Sequence, residues 1–330
     1  MGMKFSLLLV IALVLAVFLG VKAAGLYYVF GVIVPYVAIL FFLGGVIFKV
    51  LKWASTPVPF RIPTTGGQQK SLPWIKQNKL DNPTTVAQTV GRMALEVLLF
   101  RSLFRNTKFE FKEGPKIVYQ WEKWLWLAGL AFHYSFLLIL VRHMRFFTEP
   151  VPGFVHLTER MDGILQLGLP GVYITDMLFV VAVTYLFIRR VVIPQVRYIS
   201  LAADYFPLFL LLAVGVTGIL MRYFIKLDLL KVKELTMNLV TFRPAVPEGI
   251  GVLFYIHFFL VCTLIAYFPF SKLMHLGGVF LSPTRNLPND SRIKRHINPW
   301  NYPVKVHTYA EYEDHFRDKM IEAGLPVEKE

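Results

Sequence analysis

From Phe5 to Val21 the chain carries no charged residue: "FSLLLVIALVLAVFLGV" offers almost nothing to water. Similar apolar runs recur at about Tyr27–Val50, Ile117–Arg145, Val172–Ile188, Tyr205–Met221 and Ile250–Leu276. A helix of about 20 apolar residues crosses a bilayer core. In lipid every backbone amide must find its partner within the protein, which leaves helices and closed barrels. Runs of this length predict helices. The fold class expected is an all-α integral membrane protein with six transmembrane helices. A hydrophobic share of 55% agrees, since it exceeds that of ordinary soluble domains. The first run, after Lys4, reads as a retained helix and not a cleaved signal peptide, because "GVKAAG" is a poor small-residue cleavage site.

The formal charge of +14 then bears on topology. In membrane proteins Lys and Arg gather in cytoplasmic loops, so no nucleic-acid partner is expected. Between Lys52 and Lys116 there are eleven basic residues against Asp81, Glu96, Glu110 and Glu113. That loop is predicted to be cytoplasmic. Phe146 to Pro170 holds one basic residue, Arg160, against Glu149, Glu159 and Asp162, and is predicted outside. Arg189, Arg190 and Arg197 return to the inside. The next loop, with Lys226, Lys231, Lys233 and Arg243, falls outside by alternation alone. Arg285, Arg292, Lys294 and Arg295 start a cytoplasmic tail. The expectation is a multi-pass protein of the cytoplasmic (inner) membrane with both termini inside.

Four regions follow. Residues 1-51 hold two transmembrane helices and 52-116 a cytoplasmic loop. Residues 117-280 hold the remaining spans, and 281-330 form the tail. Within the loop, Asn82-Pro83 reads as the cap and first position of an amphipathic helix. Its apolar side would be Val86, Val90, Met93, Ala94, Val97, Phe100 and Phe104. Such a helix lies on the membrane face or docks against a partner. The polar, Pro-interrupted tail reads as lying on a partner.

Two spans carry two histidines each: His133 and His143 on the third, His257 and His275 on the sixth. Ionisable groups inside a membrane are costly and usually have a partner and a function. Three roles suit them: hydrogen bonding between helices, proton relay, or metal and haem ligation. Two on each of two spans favours ligation. The spans run in opposite directions, so the depth-matched pairs are His143 with His257 (outer) and His133 with His275 (inner). On straight helices the steps are about 15 Å and about 27 Å. Two haems between these pairs would stack across the membrane with irons roughly 20 Å apart. Both axial positions would be filled, favouring one-electron transfer. The single cysteine, Cys262, excludes a C-x-x-C-H attachment, so the haems would be two non-covalent haem b groups. Gly129, Gly277 and Gly278 could let a macrocycle approach the backbone. Arg142, Arg145 and Lys272 are the candidates for pairing haem propionates. The alternative is a transporter with a histidine proton relay, which would show repeated halves or polar residues at the midplane. Neither is visible.

"FHYSFLLILVRH" and "IHFFLVCTLIAYFPFSKLMH" resemble the haem-ligating helices of the gamma (cytochrome b) subunits of respiratory nitrate reductases, and "FIRRVVIPQVR" resembles their inner loop. The likeness covers about Trp121 to Pro283. The added N-terminal span, long loop and long tail look more like the membrane subunit of the sulfite-reduction-associated Dsr complex. The resemblance implies a five-helix dihaem core plus an extra N-terminal helix. It implies a menaquinol or quinone site near the outer face, a cytoplasmic iron–sulfur partner and further membrane subunits. That is an electron-transfer subunit of an oxidoreductase, with no catalytic residue assigned. The family has glycine before its outer ligand and a lysine in its outer loop. Here Arg142 takes the first place and no lysine lies between Phe146 and Pro170. His156 and Arg160 are the remaining candidates for a quinone oxygen.

Overall fold

A computed structural model describes residues 2–57, 66–112, 116–164, 172–282, 284–290, 303 and 306–328. Arg292, Lys294 and Arg295 of the tail lie outside the described residues. The helices are α1 (Gly2–Lys22), α2 (Val34–Ala54), α3 (Val86–Leu99), α4 (Arg101–Phe104), α5 (Lys123–His143), α6 (Gly153–Ile164) and α7 (Ile174–Val192). They continue as α8 (Pro194–Tyr198), α9 (Ala202–Ile219), α10 (Leu229–Val240), α11 (Val252–Tyr267), α12 (His275–Leu281) and α13 (Tyr309–Glu322). One antiparallel hairpin interrupts this helical chain: β1 (Thr107–Lys112) pairs with β2 (Lys116–Trp121), Thr107 opposite Trp121. The third span therefore begins at Lys123 and not at Ile117, whose residues continue the hairpin.

Among the described residues five helices are long and apolar enough to cross a membrane: Gly2–Lys22, Val29–Ala54, Lys123–Phe146, Ala202–Phe224 and Val252–Phe270. The second and fourth of these include π-helical turns, Val29–Ile33 and Leu220–Phe224. The remaining expected span, α7, is 19 residues long, about 28 Å of helix. It carries Asp176 near its start and Arg189 and Arg190 near its end, and packs against α5 and α9. The chain is a multi-pass membrane protein.

The core lies where α9, α10 and α11 meet, around Leu210, Leu235, Tyr255 and Leu260. Val17 and Val21 bring α1 onto the same core. Ser6 Oγ donates to Ala202 O at 2.9 Å and ties the start of α1 to the start of α9. Leu40, Phe48 and Leu51 of α2 are 69%, 61% and 63% exposed. An apolar outer face of this kind belongs against lipid chains.

The last span departs from the straight helix expected to Leu276. α11 stops at Tyr267, and Phe268–Phe270 forms a single 3-10 turn. Pro269 cannot donate to the helical ladder. Ser271 is extended, and its Oγ accepts from Leu273 N–H to begin the next turn. α2 presses on this break at Gly45, where an added Cβ would lie 2.6 Å from Pro269 Cγ.

The loop helix also differs. α3 starts at Val86, with Thr85 as cap accepting from Gln88 N–H. Asn82 is not the cap expected: the helix begins four residues later, and the Asn82 side-chain oxygen accepts from Asn289 Nδ2 at 2.7 Å. Asn289 N–H also donates to Pro83 O. The tail's first residues thus dock on the chain's own loop.

Candidate functional site

α5 carries His133 and His143, α11 carries His257, and the turn after the Ser271 cap delivers His275 at the start of α12. His133 and His275 face each other with ring centres 6.0 Å apart and planes at 86°. His143 and His257 lie 6.4 Å apart with planes at 21°. The pairing is antiparallel, lower number to higher. An imidazole nitrogen sits about 2 Å from a bound metal, and its ring centre about 1 Å further, so two imidazoles flanking one metal have centres about 6 Å apart. Both pairs meet that spacing. Among the described residues no group of three or more His, Cys, Asp or Glu gathers around an ion position. The available donor sets are therefore pairs.

Each imidazole is turned by its Nδ1. His133 Nδ1 is 2.8 Å from Gly129 O, and His143 Nδ1 is 2.7 Å from Ile139 O. His275 Nδ1 is 3.0 Å from Lys272 O. His257 Nδ1 is 2.9 Å from Thr217 Oγ1, whose hydroxyl proton is directed at Ala213 O. An Nδ1–H committed to an oxygen fixes the tautomer and leaves Nε2 as the free lone pair. Sequence reasoning missed Thr217. It follows the small residue Val216 and precedes Gly218, and nothing in its spacing singles it out.

Protein side chains are the neighbours of the glycines singled out by the sequence. An added Cβ on Gly129 would meet Leu103 and Phe100 at 3.8 Å. On Gly277 it would meet Met274 at 3.0 Å and Trp53 at 3.8 Å. The contact at Gly129 is ordinary packing, and the one at Gly277 is tight against the flexible end of Met274.

All three propionate candidates are held by carboxylates of the chain. Lys272 Nζ donates to Asp204 Oδ1 at 2.6 Å, with the Lys272 side chain 74% exposed. Arg145 Nη1 donates to Glu159 Oε1 at 2.7 Å. Arg142 is enclosed. Its Nη2 donates to Asp176 Oδ1 and, at 3.2 Å, to Thr175 Oγ1. Its Nη1 lies 3.3 Å from Asp162 Oδ2. Thr175 Oγ1–H donates to Asp162 Oδ2 at 2.6 Å, and Tyr223 O–H donates to Asp176 Oδ2 at 2.8 Å. The guanidinium groups of Arg142 and Arg222 lie 4.2 Å and 3.9 Å from the Tyr173 ring centre. The cluster joins α5, α6, α7 and the π turn after α9 beside His143. One sequence signal could have flagged it without naming the partner: Asp176 is a carboxylate inside an apolar run, which demands a cation.

The quinone candidates share one exposed face of α6. His156 Nδ1 is 3.8 Å from Glu159 Oε2, and Arg160 is exposed.

Residues 92–293, which contain all four paired histidines, match the nitrate reductase gamma subunit family. That is more than half of the chain. The chain belongs to this family. It is similar to a protein of Archaeoglobus fulgidus, 49% identical over 280 residues, 83% of each chain. It is also similar to one of Archaeoglobus profundus, 44% identical over 274 residues, 81% of each chain. Both relatives carry the name Hdr-like menaquinol oxidoreductase cytochrome b-like subunit.

Proposed function

We propose that the chain is the dihaem b membrane subunit of a menaquinol-oxidising complex, carrying electrons from an outer quinol site to a cytoplasmic iron–sulfur partner. The observation that supports this best is the pair of histidine pairs, each at the spacing of two imidazoles on one iron and each with Nδ1 committed elsewhere. His143 and His257 would hold the outer haem, and His133 and His275 the inner one. Held by two imidazoles each, the groups would supply one-electron transfer. The names of the two relatives support the menaquinol assignment.

The chain's own residues orient and bind. Nδ1 contacts set the imidazole planes. Lys272 and Arg145, which remain partly open, are assigned to the propionates. Arg142 is not, because two carboxylates and Thr175 already engage its Nη atoms. His156 and Arg160 on α6 are assigned to the quinone oxygens, on the outer side where quinol protons leave. The charge of the loops supports an inner-membrane protein with both termini inside. The long loop, docked tail and extra N-terminal helix support a Dsr-type sulfur-metabolising complex with further membrane subunits.

The test is a reduced-minus-oxidised spectrum of the purified protein, with low-spin b bands expected at two haems per chain. His143→Ala should remove one haem and the reactivity with menaquinol analogues while leaving the other haem's bands. A protein without haem, or a variant that keeps both, refutes the assignment.

A further inference from the structure

The end of α3 is unusual. Phe100 closes the helix with φ 49° and ψ 45°, while its N–H donates to Leu95 O. That left-handed conformation is ordinarily taken by glycine or asparagine, because a Cβ is crowded there. A phenylalanine in it needs its surroundings to hold it.

Three consecutive residues of this corner are tied to one face of α5. Leu98 O accepts from Tyr134 O–H at 2.8 Å. Leu99 O accepts from Trp126 Nε1–H at 2.7 Å. The Phe100 ring meets the His133 imidazole edge to face, with centres 4.9 Å apart and planes at 79°. Trp126, Gly129 and His133 recur at helical spacing on α5, and Gly129 leaves room for Phe100 and Leu103. Phe132 meets the same imidazole from its own helix at 4.8 Å. Among the described residues, Phe100 brings this ring its aromatic contact from outside α5 and the turn that carries His275.

We propose that Phe100 is a positioning residue for His133: the α3–α4 corner, pinned by Trp126 and Tyr134, sets the plane of the His133 imidazole against that of His275. The loop helix is then a wall of this pocket and not a free membrane-surface helix. The inference rests on the reading of His133 and His275 as an axial pair. The two pairs differ in a way that makes it measurable. Imidazole planes near perpendicular, as at 86°, give a ferric low-spin haem a strongly anisotropic resonance; planes near parallel, as at 21°, give a rhombic one. Ligand orientation set by surrounding contacts is what tunes such a centre.

The experiment uses the purified full chain and low-temperature electron paramagnetic resonance of the oxidised protein. Phe100→Gly is the informative variant. Glycine suits the left-handed backbone, so the corner folds while the ring is gone. The anisotropic signal should shift toward the rhombic one or spread, with the rhombic signal unmoved. Phe100→Tyr, which keeps a ring, should restore the wild-type spectrum. An unchanged anisotropic signal in Phe100→Gly overturns the proposal, as does a Tyr variant shifted as far as the Gly variant. Failure of the axial-pair reading looks different: the wild-type protein itself would lack low-spin haem signals.

Discussion

Replacing Arg142 by Met isolates the charge cluster beside His143. Methionine keeps much of the length and apolar stem while removing the guanidinium. The Arg142 side chain is 8% exposed, and its partners Asp162 and Asp176 are 3% and 12% exposed. Removal leaves two carboxylates in a dry setting, with Arg222, at 4.0 Å from Asp176, the remaining cation among the described residues. Breaking a buried pair by deleting one partner costs about 3–5 kcal/mol, mostly the desolvation of the charge left behind. That is about two to four powers of ten in an unfolding equilibrium. The assay is equilibrium unfolding in mixed micelles at rising SDS fraction, followed by helix signal. The same energetics predict a rescue: adding Asp162→Asn and Asp176→Asn should recover most of the loss, because neutral amides can share hydrogen bonds with Thr175 and Tyr223. A loss below about 1 kcal/mol would place the cluster in the range of exposed ion pairs and refute the reasoning. A full loss without rescue would mean that Arg142 acts through packing alone.

Two further outcomes are expected. The Arg101 guanidinium, with Arg105 beside it, holds the Asp81 carboxyl well below the usual carboxylate range. Its contribution is then fully present above about pH 4, the unfolded value, and is lost as pH falls through the lower folded one. Hydrogen-exchange protection factors in the loop, corrected for the intrinsic pH dependence of exchange, should fall on acidification below that pH, and Asp81→Asn should flatten the dependence; a flat protection profile in the wild type refutes it. Gly45→Leu should destabilise the protein by about 1–3 kcal/mol through overpacking against Pro269 and Phe270, read by the same SDS titration. A neutral result would show that α2 is free to move away from the break.

The histidine neighbours were legible in the sequence because spans of fixed rise, alternating in direction, leave few ways to match depths. His133 beside His275 and His143 beside His257 follow from that alone. The break after Tyr267 was partly legible. Pro269 and Ser271 are visible stop and start signals, yet an apolar run of full span length conceals them. Asn82 shows the opposite error. It is a good cap by local rules, but a residue 207 positions away occupies its oxygen.

The sequence by itself determined a helical membrane protein, the order of its spans and which of them carry paired imidazoles. These depend on hydrophobicity and helical repeat, which act over one segment at a time. The tertiary structure decided the rest: that Arg142 belongs to Asp162 and Asp176, that Thr217 turns His257, and that Phe100 reaches His133. Each is a meeting of side chains from different elements, set by packing angles and close approach. No local pattern encodes those, because the partner's position exists only once the helices have assembled.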